Sequence, residues 1–239
     1  MFRSMVLTAL GVALVTGLFL SALQTLAVTP IIYAAEVFEV AQPEVVTAQN
    51  DGHTHSHDSH AWSPRDGIER ISFTVLSNVL SAFGFAMILL TCMVIARDKA
   101  QLNISWLRGL AWGLTGYLTF FVVPALGLPP EIPSMETAAI SGRQSWWVLA
   151  VVSTGIGIAS LVFSSGIAKV TAIIFIAAPW VVGAPQPELH GFVHPDVQAV
   201  ATLEGLQSQF IYATAMVNGL FWVTLGGVTG YAAKRFIKV

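Results

Sequence analysis

Charge is what this chain has least of. Only 10% of its 239 residues are Asp, Glu, Lys or Arg, and 55% are hydrophobic. A soluble domain carries about 25% charged residues. The sequence lacks the polar side chains to cover a soluble fold of this size, and its mean hydropathy of +0.72 agrees. The net charge of −2 gives no reason to invoke nucleic acid, and none is expected as a partner. One cysteine, Cys92, cannot close an internal disulfide. It lies in an apolar run and reads as a small packed side chain. No Gly-rich phosphate loop or Walker sequence occurs, so nothing here can hydrolyse ATP. Pumping would need a partner chain or an ion gradient. No nucleophile–base pair falls in an apolar run, and the chain is not expected to be an enzyme.

What the sequence does have is long apolar runs. A crossing helix needs about 20 mostly apolar residues. Runs extend over residues 5–32, 71–96, 107–126 and 210–233, and a stretch over 146–183 is interrupted by Ser164, Ser165, Gly166 and Lys169. That last stretch is too long for one crossing and divides into two short helices near Gly166. Arg3 precedes the first run as in a signal peptide. The run exceeds the roughly 7–15 apolar residues of a signal, however, and reads as an uncleaved anchor. The expected fold is an all-α integral membrane protein with about six transmembrane helices. It forms a single polytopic domain over residues 1–239, with a His-rich extracytoplasmic loop over 34–69.

The charges give this count an orientation. With a cytoplasmic N-terminus and six spans, Arg3, Arg97, Lys99, Arg108, Lys169, Lys234, Arg235 and Lys238 lie inside, and only Arg65, Arg70 and Arg143 lie outside. That is the positive-inside bias, and it puts both termini in the cytoplasm. Five spans would put the C-terminal basic cluster outside. Of the thirteen acidic residues only Asp98 falls inside, and all six histidines fall outside. The outer face, periplasmic in a bacterium, therefore collects the metal-ligating side chains.

Four of those histidines, His53, His55, His57 and His60, lie in one short tract with Asp51 and Asp58. Imidazole is a common ligand for transition metals and is largely neutral near pH 7. In an extended strand His53, His55 and His57 share one face. Neighbouring Gly, Ser and Thr favour a flexible chelator that raises local metal concentration over a rigid cage. The plainer alternative is a solvated linker that happens to be His-rich. Zn, Co, Ni and Cu all accept imidazole and carboxylate, so the tract does not select a metal.

Glu36 and Glu39 follow the first run at i,i+3, where a continuing helix presents them together. They are candidate cation ligands at the mouth of the membrane, or simply interfacial solvation. Glu69 and Arg70 read as a surface ion pair. Pro124, Pro129, Pro130 and Pro133 fall within ten residues, which predicts a non-helical segment. Glu131 inside it is a candidate ligand or gate. His190 and His194 share a face as metal ligands only if their loop is helical, which Gly191 and Pro195 disfavour. Gln24, Asn78 and Asn218 are the polar amide side chains within the runs. They are candidates to line a cation pathway, or to join helices by hydrogen bonds. With no carboxylate or histidine there, a proton relay through the bilayer centre is not supported. Gly109/Gly113 and Gly226/Gly230 have GxxxG spacing, which permits close helix contact. Thr115-Gly116-Tyr117 recurs as Thr229-Gly230-Tyr231, too little to establish an inverted repeat.

Several motifs occur together in one order. The first run ends Gln24…Pro30-Ile31-Ile32-Tyr33-Ala34-Ala35-Glu36-Val37-Phe38-Glu39 and is followed by the His tract. Then come Trp62-Ser63-Pro64-Arg65-Asp66-Gly67-Ile68-Glu69-Arg70, Trp112-Gly113-Leu114, Gly127-Leu128-Pro129-Pro130-Glu131 and Arg143-Gln144-Ser145-Trp146-Trp147. Over nearly its whole length the chain resembles the CbtA family of predicted cobalt transporter subunits in bacteria. The resemblance implies Co(II) uptake across the bacterial inner membrane, linked to cobalamin synthesis. It also implies a small single-span, His-bearing partner, CbtB. That family is often described with five spans, against the six favoured by the charges. No fixed cofactor is expected; Co(II) is the bound or transported ion, with Ni or Zn as alternatives. Membrane lipids and a second copy of the chain are further expected partners. The rival expectation is a membrane-anchored metal-binding or sensing protein that captures metal for a partner without transporting it.

Overall fold

A computed structural model describes residues 2–40, 64–187 and 191–237. Seven helices account for most of them: α1 (Phe2–Ala27), α2 (Thr29–Val40), α3 (Ile68–Ala100), α4 (Trp106–Gly127), α5 (Ile140–Phe163), α6 (Ala168–Val182) and α7 (Val197–Phe236). No strand occurs among the described residues, only an isolated antiparallel bridge between Met135 and Phe192. Five helices, α1, α3, α4, α5 and α7, are long and apolar enough to cross a membrane. Two are shorter. The second half of the stretch expected to split near Gly166 is α6, whose 15 residues rise about 22 Å against a hydrocarbon core of about 30 Å.

The helix ends follow from local chemistry. The first run breaks at Val28 because Pro30 has no N–H to continue the ladder. The chain then resumes as α2 as far as Val40. The segment expected to be loop from residue 34 is therefore helical to residue 40, and α3 already begins at Ile68. Ser105 caps α4, its hydroxyl accepting from the Arg108 N–H at 3.3 Å. The break between α5 and α6 falls where expected, with Ser164 extended and Gly166 at φ +58°. Asp196 caps α7, its carboxylate accepting from the Gln198 N–H at 2.9 Å. The 40 residues of α7 rise about 60 Å, so its first turns, ahead of the apolar run at residue 210, exceed what one crossing needs.

The proline-rich segment departs from expectation at its first member. Pro124 remains inside α4, and the helix ends only at Gly127. Leu118–Val122 form a π turn, with the Val123 N–H donating to the Leu118 carbonyl one residue further back than in an α-helix. This wider turn directly precedes Pro124, whose missing N–H and ring an α-helical ladder would not tolerate. Non-helical backbone starts at Leu128.

Three helix pairs build the bundle. The first is α4 antiparallel to α7, at backbone contact. A Cβ on Gly109 would lie 2.3 Å from the Gly226 carbonyl oxygen, one on Gly113 2.2 Å from that of Trp222, and one on Gly230 2.6 Å from that of Ser105. The two GxxxG spacings thus pack on each other. Trp222, fully buried, stacks on Phe120 at 5.4 Å and meets Phe85 at 4.7 Å, joining α7, α4 and α3. The second pair is α1 with α3, where Gly17 admits the Val79 backbone. The third is α5 with α6, closed by the Trp146 indole N–H donating to the Pro179 carbonyl at 3.1 Å and by Gly157 against Ile176.

These pairings define two ends. The Ser4 hydroxyl donates to the Phe236 carbonyl at 2.8 Å, so the first and last helices meet at one end, called the near end. The start of α4, the end of α3 and the α5–α6 turn belong to it. Among the described residues it carries Arg3, Arg97, Lys99, Arg108, Lys169, Lys234 and Arg235, with Asp98 its one acidic side chain. The far end holds α2, the start of α3, the proline-rich segment, and the segment leading into α7.

Candidate functional site

At the far end, Tyr33 and Glu36 of α2 face Arg70 in the first turns of α3. The Arg70 guanidinium donates to both Glu36 carboxylate oxygens, at 2.5 and 3.1 Å, and to Asp66 at 3.0 Å, while lying 4.9 Å over the Tyr33 ring. Arg70 and Glu36 each keep 29% of their side-chain surface exposed. A surface pair contributes about 0.2–1 kcal/mol, and breaking a buried one costs about 3–5 kcal/mol. This bidentate pair belongs between those limits and holds α2 against α3. Arg70 does not pair with Glu69 as its position suggested; Glu69 accepts from Arg65 at 3.2 Å. The backbone of Glu39 continues α2, and its side chain lies outside the described part.

Glu131 sits in the rigid turn after α4 and is paired with Arg143 of α5. Only 15% of the Glu131 side chain is exposed, and burial pushes its carboxyl above the ordinary glutamate range, with Arg143 pulling the other way. The turn is clipped to α7 by one side chain. The Gln207 amide donates to the Pro130 carbonyl at 2.7 Å and accepts from the Ile132 N–H at 3.1 Å, as a neighbouring strand would. Beside the pair opens a groove of about 940 Å³ between the end of α4 and the start of α5. Phe120, Phe121 and Trp147 line its apolar side, and Glu131, Arg143 and Gln144 its polar side.

His194 lies beyond α6, in a segment that is not helical: Gly191 has φ +92° and Phe192 makes the bridge to Met135. Its Nδ1 accepts from the Asp196 N–H at 3.0 Å, so the proton of the neutral ring is on Nε2, which is buried and has no hydrogen-bond partner among the described residues. The ring stands edge-on to Phe38 of α2 at 6.3 Å. His190 and the tract His53, His55, His57 and His60 lie outside the described residues. Within the bundle, Asn78 of α3 donates to Gln24 at 2.7 Å and to Ser21 at 3.0 Å, joining α1 to α3. Asn218 donates to the Thr214 carbonyl of its own helix at 2.9 Å.

The far end therefore holds Glu36, Glu131 and His194, but both of these carboxylates are already held by arginines. No group of three or more His, Cys, Asp or Glu side chains comes together as a metal site among the described residues. Sequence reasoning did not find the Arg143–Glu131 pair or the Gln207 clip. Arg143 could have been found, because it is one of only three basic residues assigned to the outer face and each of those should seek an acid. Gln207 left no such signal.

Residues 2–234, nearly the whole chain, match the family described as probable cobalt transporter subunit (CbtA). The chain belongs to the CbtA family. With its five long apolar helices, this makes it a membrane protein of cobalt transport, and CbtA, as a subunit, implies a partner chain. No curated protein and no solved structure matches the chain.

Proposed function

We propose that this chain is the membrane-embedded subunit of an importer that brings Co(II) across the bacterial inner membrane, in support of cobalamin synthesis. The observation that carries the reading is the family match over residues 2–234. The topology proposed is six crossings with both termini cytoplasmic. It is supported by the basic near end, by the contact between Ser4 and Phe236, and by the return of α6 along α5.

In this reading the near end is cytoplasmic and the far end is the outer mouth. His53, His55, His57 and His60 collect the ion. Glu36, Glu39 and Glu131 receive it at the mouth. Because Arg70 and Arg143 occupy Glu36 and Glu131, an arriving cation has to displace an arginine, so reception is coupled to loosening α2 from α3 or the proline turn from α5. Gln24, Asn78 and Asn218 are the polar side chains available along the bundle. Ni(II) or Zn(II) could follow the same route. A small single-span, His-bearing CbtB-like subunit is the proposed partner, and a second copy of the chain is a further candidate.

The rival reading is capture of metal for a partner without transport. Radioactive cobalt uptake in a strain lacking other importers separates the chain's role from background. Expression with its partner should raise uptake, and deletion should lower it. Uptake unchanged by both would contradict import.

A further inference from the structure

The near end carries an apolar groove of about 800 Å³ between α1 and α7. Arg3 lies at its mouth, Leu7 and Gly11 run inward along α1, and Val228, Tyr231 and Phe236 form the α7 side. We infer that this groove binds one anionic phospholipid, its phosphate on Arg3 and the upper part of one acyl chain between α1 and α7.

Three observations point to that occupant. The mouth is basic: Arg3 is the one charged residue of the lining, while Lys234 and Arg235 of the nearby last turn of α7 and Asp98 at the end of α3 lie outside it. Below the mouth the lining is nearly all apolar, which suits a hydrocarbon chain and not a free phosphate. The groove is also open toward its inner end, since a Cβ on Gly11 would meet nothing within 4 Å. Gly11 lies seven steps along the helix from Ser4, a rise of about 10 Å, matching the first eight or so carbons of an acyl chain. Basic side chains at a cytoplasmic membrane surface attract anionic lipids at about 1 kcal/mol each, which corresponds to about fivefold in occupancy.

Gly11 also supplies the test. Gly11→Leu adds bulk to the groove lining at a position where a Cβ meets nothing within 4 Å, and Arg3→Gln removes the charge while leaving the groove open. Full-length protein in mild detergent would be offered equal amounts of phosphatidylglycerol and phosphatidylcholine with identical acyl chains, and bound lipid counted by native mass spectrometry. Wild type should retain the anionic lipid about fivefold over the zwitterionic one. Arg3→Gln should bring the ratio close to one, and Gly11→Leu should remove the bound lipid altogether. Excess inorganic phosphate should leave the anionic lipid in place; its displacement would mark a free-phosphate site and overturn the assignment. Equal retention of both lipids by wild type, or an unchanged preference in Arg3→Gln, would overturn it as well. The lipid-free melting temperature of each variant shows whether it is folded. Should Gly11→Leu not fold, Arg3→Gln decides alone.

Discussion

At the scale of single residues, the far end is organised by arginine. Arg70→Ala leaves Glu36 half-buried and unpaired, so its melting temperature should fall clearly below wild type. Arg65→Ala, whose own side chain is 91% exposed, should be nearly neutral. Similar losses in a thermal unfolding series would contradict the difference in burial. Glu131 adds a pH dependence with a definite sign. Its carboxyl is raised in the folded protein, so the folded state binds the proton more tightly than the unfolded one. Its contribution to stability is therefore fully present below the ordinary glutamate range and is lost as pH rises through the higher folded value. In detergent, wild type should gain stability relative to Glu131→Gln as pH is lowered through that window. A pH-independent difference would contradict the burial argument. Much of this was legible in the sequence: the turn around Glu131 follows from its prolines, and Glu36 from its place after the first run. The arginine partners were not, because Glu36 and Arg70 are separated by the His tract and no local spacing relates them.

At the scale of elements, the tightest joint is between α4 and α7. The GxxxG spacings announced close contact, and the structure shows that the two motifs meet each other. Gly226→Val would force a side chain against the Gly109 and Gly113 backbones, which cannot yield as a flexible side chain would. Overpacking of this kind typically costs about 1–3 kcal/mol, and backbone contact places this case at or above the upper end. Gly84→Ala, where a Cβ meets nothing within 4 Å, should be neutral or slightly stabilising. Thermal melting of the two variants in the same detergent checks the contrast. The helix break at Gly166 was equally legible. The π turn was not: Pro124 alone reads as a helix stop, and only packing against α7 and α5 shows that widening one turn lets α4 continue to Gly127. The length of α7 was also hidden, because its first three turns are too polar to register as an apolar run.

At the scale of the whole molecule, the described basic residues of the near end lie opposite the arginine–carboxylate pairs and His194 of the far end. The separation of the two ends was readable from charge order along the chain. The name of the metal was not; it rests on the family. A division of labour follows from the proposed import route. Replacing His53, His55, His57 and His60 with Ala should weaken uptake mainly when cobalt is scarce, because a collector changes local concentration and not the path. Glu36→Gln or Glu131→Gln should lower uptake even at abundant cobalt. Indistinguishable uptake curves for the two kinds of variant would contradict the assignment. Reversing one pair, Glu36→Arg with Arg70→Glu, tells a ligand from a strut. Restored melting with uptake still lost assigns the carboxylate to the ion, and restoration of both assigns it to the fold. The most direct measurement of the central claim is cobalt flux into proteoliposomes that contain this chain and its partner subunit. Time-dependent cobalt entry, absent from protein-free vesicles, is the expected result. Cobalt bound to the protein in stoichiometric amount with no entry into the lumen would contradict import and leave capture as the function.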